Sequence, residues 1–170
     1  MGTNLNKRDF IYPYFVVTGS GRKEAIPSFP GQYRFSADLL IEDIKELSVL
    51  GVDKILLFGI PDSKDGAGSM AYKDDNIVNV AVRRIKKYFP GVTVFTDVCL
   101  CSYTDHGHCG VINKGAIDGK ATLEALSKIA LSHAGSGADY VAPSAMAKGQ
   151  VLTIRKALDK NGYKNTKIMG

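Results

Sequence analysis

Residues 92–100 read VTVFTDVCL. Up to Asp97 every side chain is β-branched or aromatic, and Pro90-Gly91 stop whatever precedes the run, which marks a short, buried strand. Runs of the same kind lie on both sides. Upstream are IYPYFVV at Ile11 to Val17 and KILLFGI at Lys54 to Ile60; downstream are DYVAPS at Asp139 to Ser144 and a start at Lys167 to Met169. Amphipathic segments separate them. Ser36 is placed to cap a helix through Leu50, with Leu40, Ile44 and Leu47 on one face and Gly51 just past its end. Asp74 or Asp75 caps a second, with Ile77, Val80, Ala81 and Ile85 inward. Thr122 caps a third through Ala134, carrying Leu123, Leu126, Ile129 and Ala130, with His133 as a helix-face histidine near its end. A fourth runs from about Gln150 to Lys160 and stops at Asn161-Gly162. The stretch 18–35, rich in Gly and Pro, reads as loop.

Strand starts near 11, 54, 93 and 139 are spaced as crossover units are, and continuous apolar strands alternating with amphipathic helices define a parallel sheet covered by helices. The fold class is therefore α/β. Two architectures satisfy it: an open doubly wound sheet, or part of a TIM-type (β/α)8 barrel. The dinucleotide fingerprint is missing, since Gly19 and Gly21 have no third glycine and open no helix, and there is no phosphate-cradling Walker loop. The loops after the first three strands are long and polar, and in a barrel such loops carry the site. A whole barrel takes about 250 residues, so a single domain over residues 1–170 makes about half of one.

Composition narrows the function. Apolar residues are 45% and charged residues 23%, which excludes disordered and collagen-like chains. No apolar run reaches the ~18 residues of a membrane span, and MGTNLNKRDF has no signal-peptide core; the expectation is a cytoplasmic protein with no membrane partner. The net charge of +5 is spread out. Its one dense cluster, Arg83, Arg84, Lys86 and Lys87, falls on a helix and reads as a solvated face, so no nucleic-acid partner is expected.

The chemistry concentrates in TDVCLCSYTDHGHCGVI, residues 96–112, which holds all three cysteines. Asp97, Cys99 and Cys101 alternate at the strand end, which puts them on one face, and Gly107 and Gly110 free the backbone for Cys109 to return. Three thiolates suit Zn²⁺ and leave the fourth tetrahedral position open; His106 or His108 as a fourth ligand would close it. A disulfide with one free thiol, three reduced core cysteines, and a Cys-His nucleophile pair are the other readings of the same residues.

The segment TDVCLCSYTDHGHCGVI closely resembles the metal-binding signature of the porphobilinogen synthase (5-aminolevulinate dehydratase) family. FIYPYFV, IPSFPGQYR, LLFGIPDSKDGAGSMAY and GADYVAPSAMAKGQV are similar to family blocks in family order, from about Asp9 to Met169. The resemblance implies a (β/α)8 barrel, usually in a homo-octamer, that condenses two 5-aminolevulinate molecules to porphobilinogen for tetrapyrrole and heme biosynthesis. It implies zinc on Cys99, Cys101 and Cys109, with Asp97 matching the aspartate before them. His106 and His108 are left as surrounding residues or alternative ligands.

The same resemblance implies absences. The family's two Schiff-base lysines lie past the fifth strand and at the sixth, and neither has a counterpart in these residues, so no catalytic residue is assigned and the chain alone is expected to be an inactive relative of this lyase. Ala145, Met146, Ala147 and Lys148 stand where Asp-Met-Met-Asp is usual, Gly66 where Glu is common, and Gly119-Lys120 where Asn-Asp is frequent. Lys148 sits at the correct end of a strand, yet reads as a surface lysine opening a helix. The alternative reading is a zinc-binding paralogue without activity, acting as a binding or interaction protein, with a small carboxylate such as 5-aminolevulinate as ligand. An unclosed half-barrel would expose Phe15, Leu57 and Phe95 on its inner face, from which a homo-oligomer is expected, at least a dimer that completes the barrel.

Overall fold

In the computed structural model, which describes residues 5–170, five strands form the parallel sheet that the sequence predicts: β1 (Tyr12–Val17), β4 (Lys54–Ile60), β5 (Thr93–Val98), β8 (Tyr140–Pro143) and β9 (Lys167–Ile168). They lie side by side in chain order, each paired in parallel with the next. Sequential parallel order with a helix between strands is the barrel pattern; a doubly wound sheet would reverse direction at a switch point. The connecting helices are α1 (Ala37–Val49), α2 (Ile77–Tyr88), α3 (Gly119–Gly135) and α4 (Gln150–Lys160).

The glycine- and proline-rich stretch expected to be loop also holds two short strands. β2 (Lys23–Ala25) and β3 (Tyr33–Ser36) pair antiparallel, and β3 lies parallel to the upper part of β1, matching Phe15 with Arg34 and Val17 with Ser36. Three- and four-residue strands are too short to show a period, and the turn residues around them dominate the local signal. A further hairpin, β6 (Ile112–Asn113) and β7 (Ala116–Ile117), turns on Lys114 and Gly115, both with positive φ as a tight two-residue hairpin requires.

Helix starts differ from expectation by a few residues. Ser36 precedes α1, but its hydroxyl is turned to Arg22, accepting from the backbone N–H and donating to the carbonyl, and it makes no cap. Asn76, not Asp74 or Asp75, caps α2, its side chain accepting from the Asn79 N–H at 2.9 Å. Asp118, not Thr122, caps α3 through the Ala121 N–H. Thr122 is instead buried one turn inside, where its hydroxyl donates to the Asp118 carbonyl and accepts from the Val111 N–H.

Two apolar clusters fill the space between sheet and helices. One joins β1, β4 and the start of β5 to α1 and α2 through Val16, Leu40, Ile44, Leu57, Val82 and Ile85. The other gathers Val98, Leu126, Ile129, Val141, Ile154 and Leu158 beneath α3 and α4. Leu57 therefore lies on the helix-packed face, fully buried, and is not among the inner-face residues as expected. Strand alternation explains this, since Leu56, Phe58 and Ile60 take the other face of β4. On that inner face the register pairs Phe15 with Phe58 and Phe95 with both Leu56 and Tyr140. The Phe15–Phe58 and Phe95–Tyr140 rings stack at 5.4 and 4.2 Å. No helix of the described residues is long and apolar enough to cross a membrane.

Candidate metal centre

The cysteines sit at the C-terminal end of β5, and a hydrogen-bonded loop brings them together. β5 ends at Val98, so strand alternation reaches Asp97 but not Cys101. Instead the chain turns at once, with the Tyr103 and Thr104 N–H groups both donating to the Leu100 carbonyl at 2.8 and 2.9 Å. Thr104 then binds back through its hydroxyl to the His108 carbonyl at 2.9 Å. Gly107 takes a φ of +72° to make the reversal, a conformation that suits glycine. Gly110 is required for another reason: a Cβ there would come within 2.8 Å of Ile117 and 2.9 Å of Thr122. These contacts return Cys109 to the level of Cys99 and Cys101.

All three cysteines are free thiols, and their sulfurs lie within 4.8 Å of one another, Cys99 and Cys101 being 3.4 Å apart. A tetrahedral zinc with Zn–S bonds of ~2.3 Å holds its sulfurs roughly 3.8 Å apart, inside that span. Cys99 is buried, and burial pushes its thiol well above the usual range, with the Cys101 and Cys109 thiols adding to the effect. Three thiolates would not share so small a volume without a cation, whereas a divalent ion reverses the balance and deprotonates the thiols it binds. The donor set therefore fits zinc with one position left open.

Asp97 points to the inner face below the thiols. Burial raises its carboxyl above the ordinary aspartate range, and the Ser144 hydroxyl, donating to Oδ1 at 2.6 Å, partly offsets this. Ser144 is a residue that sequence reasoning does not single out; its place one step past β8, level with the end of β5, is the signal that could have found it. Tyr103 is buried behind the loop, and its phenol is held un-ionised by burial and by the nearby Asp97 and Cys101.

The two histidines do not join the cluster, which consists of the three cysteines among the described residues. His106 Nε2 lies 3.2 Å from the Gly66 carbonyl and its Nδ1 accepts from the His108 N–H at 3.1 Å, so both ring nitrogens are engaged within the loop. The His106 Nε2 contact and the Asp65–Thr104 bridge tie the cysteine loop to the loop after β4. His108 is exposed. Lys148 is exposed as well, but lies with Cys109, Ile117, Leu123 and Met146 around a cavity of about 350 Å³ beside the thiols.

A parallel half-barrel with a three-thiol cluster at its C-terminal strand ends defines an α/β protein of the TIM-barrel class whose candidate site lies where such barrels carry theirs. Comparison with known proteins specifies the class. The family model for delta-aminolevulinic acid dehydratase matches residues 1–170, and the chain belongs to that family. It is 51% identical over 167 residues to the delta-aminolevulinic acid dehydratase of Methanothermus sociabilis and 48% identical to that of Bacillus subtilis, covering 98% of this chain and 52% of each relative. It superposes on the crystal structure of the Toxoplasma gondii enzyme in complex with the reaction product porphobilinogen, with a TM-score of 0.94 and 34% identity, over 98% of this chain and 48% of that one. The chain thus spans about half the length of these relatives. The expected fold, half of a TIM-type barrel, is borne out.

Proposed function

We propose that this chain is the zinc-binding half of a porphobilinogen synthase-type barrel, with zinc held by Cys99, Cys101 and Cys109, and that residues 1–170 do not by themselves condense 5-aminolevulinate. The observation that carries the reading is the convergence of three free thiols at the mouth of a half-barrel of this family. Zinc held there would supply Lewis-acid polarisation of a substrate carbonyl or amine. Asp97, half-buried and oriented by Ser144, offers a carboxyl poised to hold or release a proton at the same strand end. The turn at Leu100–Thr104 and the Tyr103 ring fix the thiols from behind, which limits the reorganisation that binding would need.

The absence of activity in these residues alone rests on the resemblance: the family chemistry runs through Schiff bases on lysines that have no match among them. Lys148 does not supply the need, since it is exposed, whereas an activated lysine requires burial or a cationic neighbour. The half-buried inner face of Phe15, Leu56, Phe58 and Tyr140 supports association with a second copy, or with the other half of a barrel, in the cytoplasm.

Purified chain, 5-aminolevulinate and added zinc, with a metal-free control, test the reading. Bound zinc without pyrrole formation is the expected result. Porphobilinogen formation would overturn the proposed inactivity, and failure to bind zinc would overturn the site.

A further inference from the structure

Far from the cysteines, on the helical side of the sheet, a groove of about 660 Å³ runs between α2, α3 and the turn after α4. Ser132, Ser136, Arg83, Lys128 and Tyr163 line it. The hydrogen-bond arrangement beneath it is one-sided. Asn76 Nδ2 donates to the Lys73 carbonyl at 2.8 Å and the Ala71 carbonyl at 3.1 Å; Asn79 Nδ2 donates to the Lys73 and Asp74 carbonyls at 3.2 and 3.3 Å. Those carbonyls fix both amides with nitrogen toward α3, because the flipped orientation would set oxygen against oxygen. Both nitrogens also reach the Ser132 Oγ, at 3.3 and 2.5 Å. Each amide nitrogen has two N–H groups for three acceptors, so the Ser132 hydroxyl accepts chiefly from Asn79, the nearer of the two, shares an N–H of Asn76 with a carbonyl, and is left to donate its own proton.

Ser136 is in the same position. Arg83 Nη1 donates to its Oγ at 3.1 Å, so its proton too is free to be given. Arg83 Nη2 is anchored on the Asp74 carbonyl at 3.0 Å, which holds the guanidinium at the rim with further N–H groups unspent. Lys128 stands over the Tyr72 ring at 5.4 Å, which orders its ammonium on the opposite wall. Two cations and two hydroxyls that each already accept a protein N–H make a donor-rich pocket; the Asp74 side chain is the one carboxylate on its wall.

We propose that this groove binds a phosphate group, either as free phosphate or as the phosphate ester of a small metabolite. A tetrahedral oxyanion accepts from guanidinium, ammonium and hydroxyl together, and neither a cation nor an apolar ligand would use these donors. The proposal stands apart from the zinc reading and uses none of its residues.

The test is titration of the intact chain with inorganic phosphate, and separately with glycerol 3-phosphate, at constant ionic strength, following backbone amide shifts by NMR. Saturable shifts confined to residues around 72–83, 128–136 and 161–163 are expected. R83Q and K128Q each weaken binding about tenfold, as loss of a charged hydrogen bond does, while D74N tightens it by removing the opposing charge. The exposed position of all three side chains keeps the variants folded. A tighter response to glycerol 3-phosphate assigns the site to esters, and an equal response assigns it to the bare phosphate group. Shifts that do not saturate, or that R83Q, K128Q and D74N leave unchanged, would overturn the proposal.

Discussion

Each thiol of the cluster occupies a different structural setting: Cys99 buried at the strand end, Cys101 in the turn, Cys109 on the returning loop. Removing any one leaves a two-sulfur site, and the His106 ring, engaged with Gly66 and with the His108 N–H, is not free to replace it. Cys99→Ser, Cys101→Ser and Cys109→Ser are each expected to lower zinc affinity by more than the roughly 10–100-fold that follows loss of an outer partner, read by competition with a chromogenic chelator. His106→Ala is expected to stay within that smaller range. Gly59 is a second decisive residue. A Cβ at this position would collide with the Tyr103 hydroxyl and come within 2.7 Å of Val78. Gly59→Ala is expected to cost about 1–3 kcal/mol in urea unfolding and, by pushing Tyr103 away, to weaken zinc binding; unchanged stability would show that Tyr103 swings aside freely.

The sequence places His133 on a helix face, and the structure buries it at 1% exposure with neither ring nitrogen partnered. Desolvation lowers its pKa from 6.5 to about 3. The unfolded chain therefore binds a proton near pH 6.5 that the folded chain refuses until about pH 3. Its contribution to stability is complete above pH 6.5 and declines as pH falls, by about 1.4 kcal/mol per pH unit. His133→Leu is expected to remove that component, so the stability difference between variant and parent grows in the variant's favour from pH 6.5 to pH 4. Parallel profiles would contradict the burial.

At the scale of elements, what the sequence shows and what it hides follow from length. β4, α2 and α4 run far enough to display a period of two or 3.6, and α4 lies over the residues expected of it, Gln150–Lys160. β2 and β3 do not, and they are held by partners distant in sequence, Arg22 with Ser36 and β3 with β1. The caps are hidden for a related reason: Asp74, Asp75, Asn76 and Asp118 are all good cap residues, and which one serves depends on how the loop packs. Cys101 illustrates the same limit within the site. Its nearness to Cys99 is legible from spacing, but a turn rather than strand alternation produces it. One contact between elements is open to direct measurement. Lys86 on α2 donates to the Asp139 carboxylate at 2.5 Å and to the Val92 carbonyl at 2.8 Å, while Asp139 also accepts from the Val94 N–H at 2.7 Å. Asp139→Ala should cost about 1–3 kcal/mol in urea unfolding, since it strands a lysine and a strand N–H together.

At the scale of the molecule, five parallel strands in chain order with helices on one side leave the other face without a layer. A barrel normally fills that face with side chains from strands across the axis. Phe15, Phe58 and Tyr140, half-buried on that face, are the residues a second half would cover; Phe95, expected to be exposed there, is already buried under its neighbours, the stacked Tyr140 ring among them. Light scattering on the purified chain is expected to give a dimer or larger species; a monodisperse monomer would contradict the association. Replacing Phe58 by Glu, at a position that packs into neither apolar cluster, should shift the population toward monomer while leaving the helical content intact.

Zinc X-ray absorption on the intact chain, with metal content determined on the same sample, decides whether the three thiols hold the metal. One zinc per chain with three sulfur neighbours at ~2.3 Å and one lighter atom in the remaining position is expected, with loss of that signal in Cys109→Ser. A chain without zinc, or zinc in a nitrogen- and oxygen-only shell that survives Cys109→Ser, would contradict it.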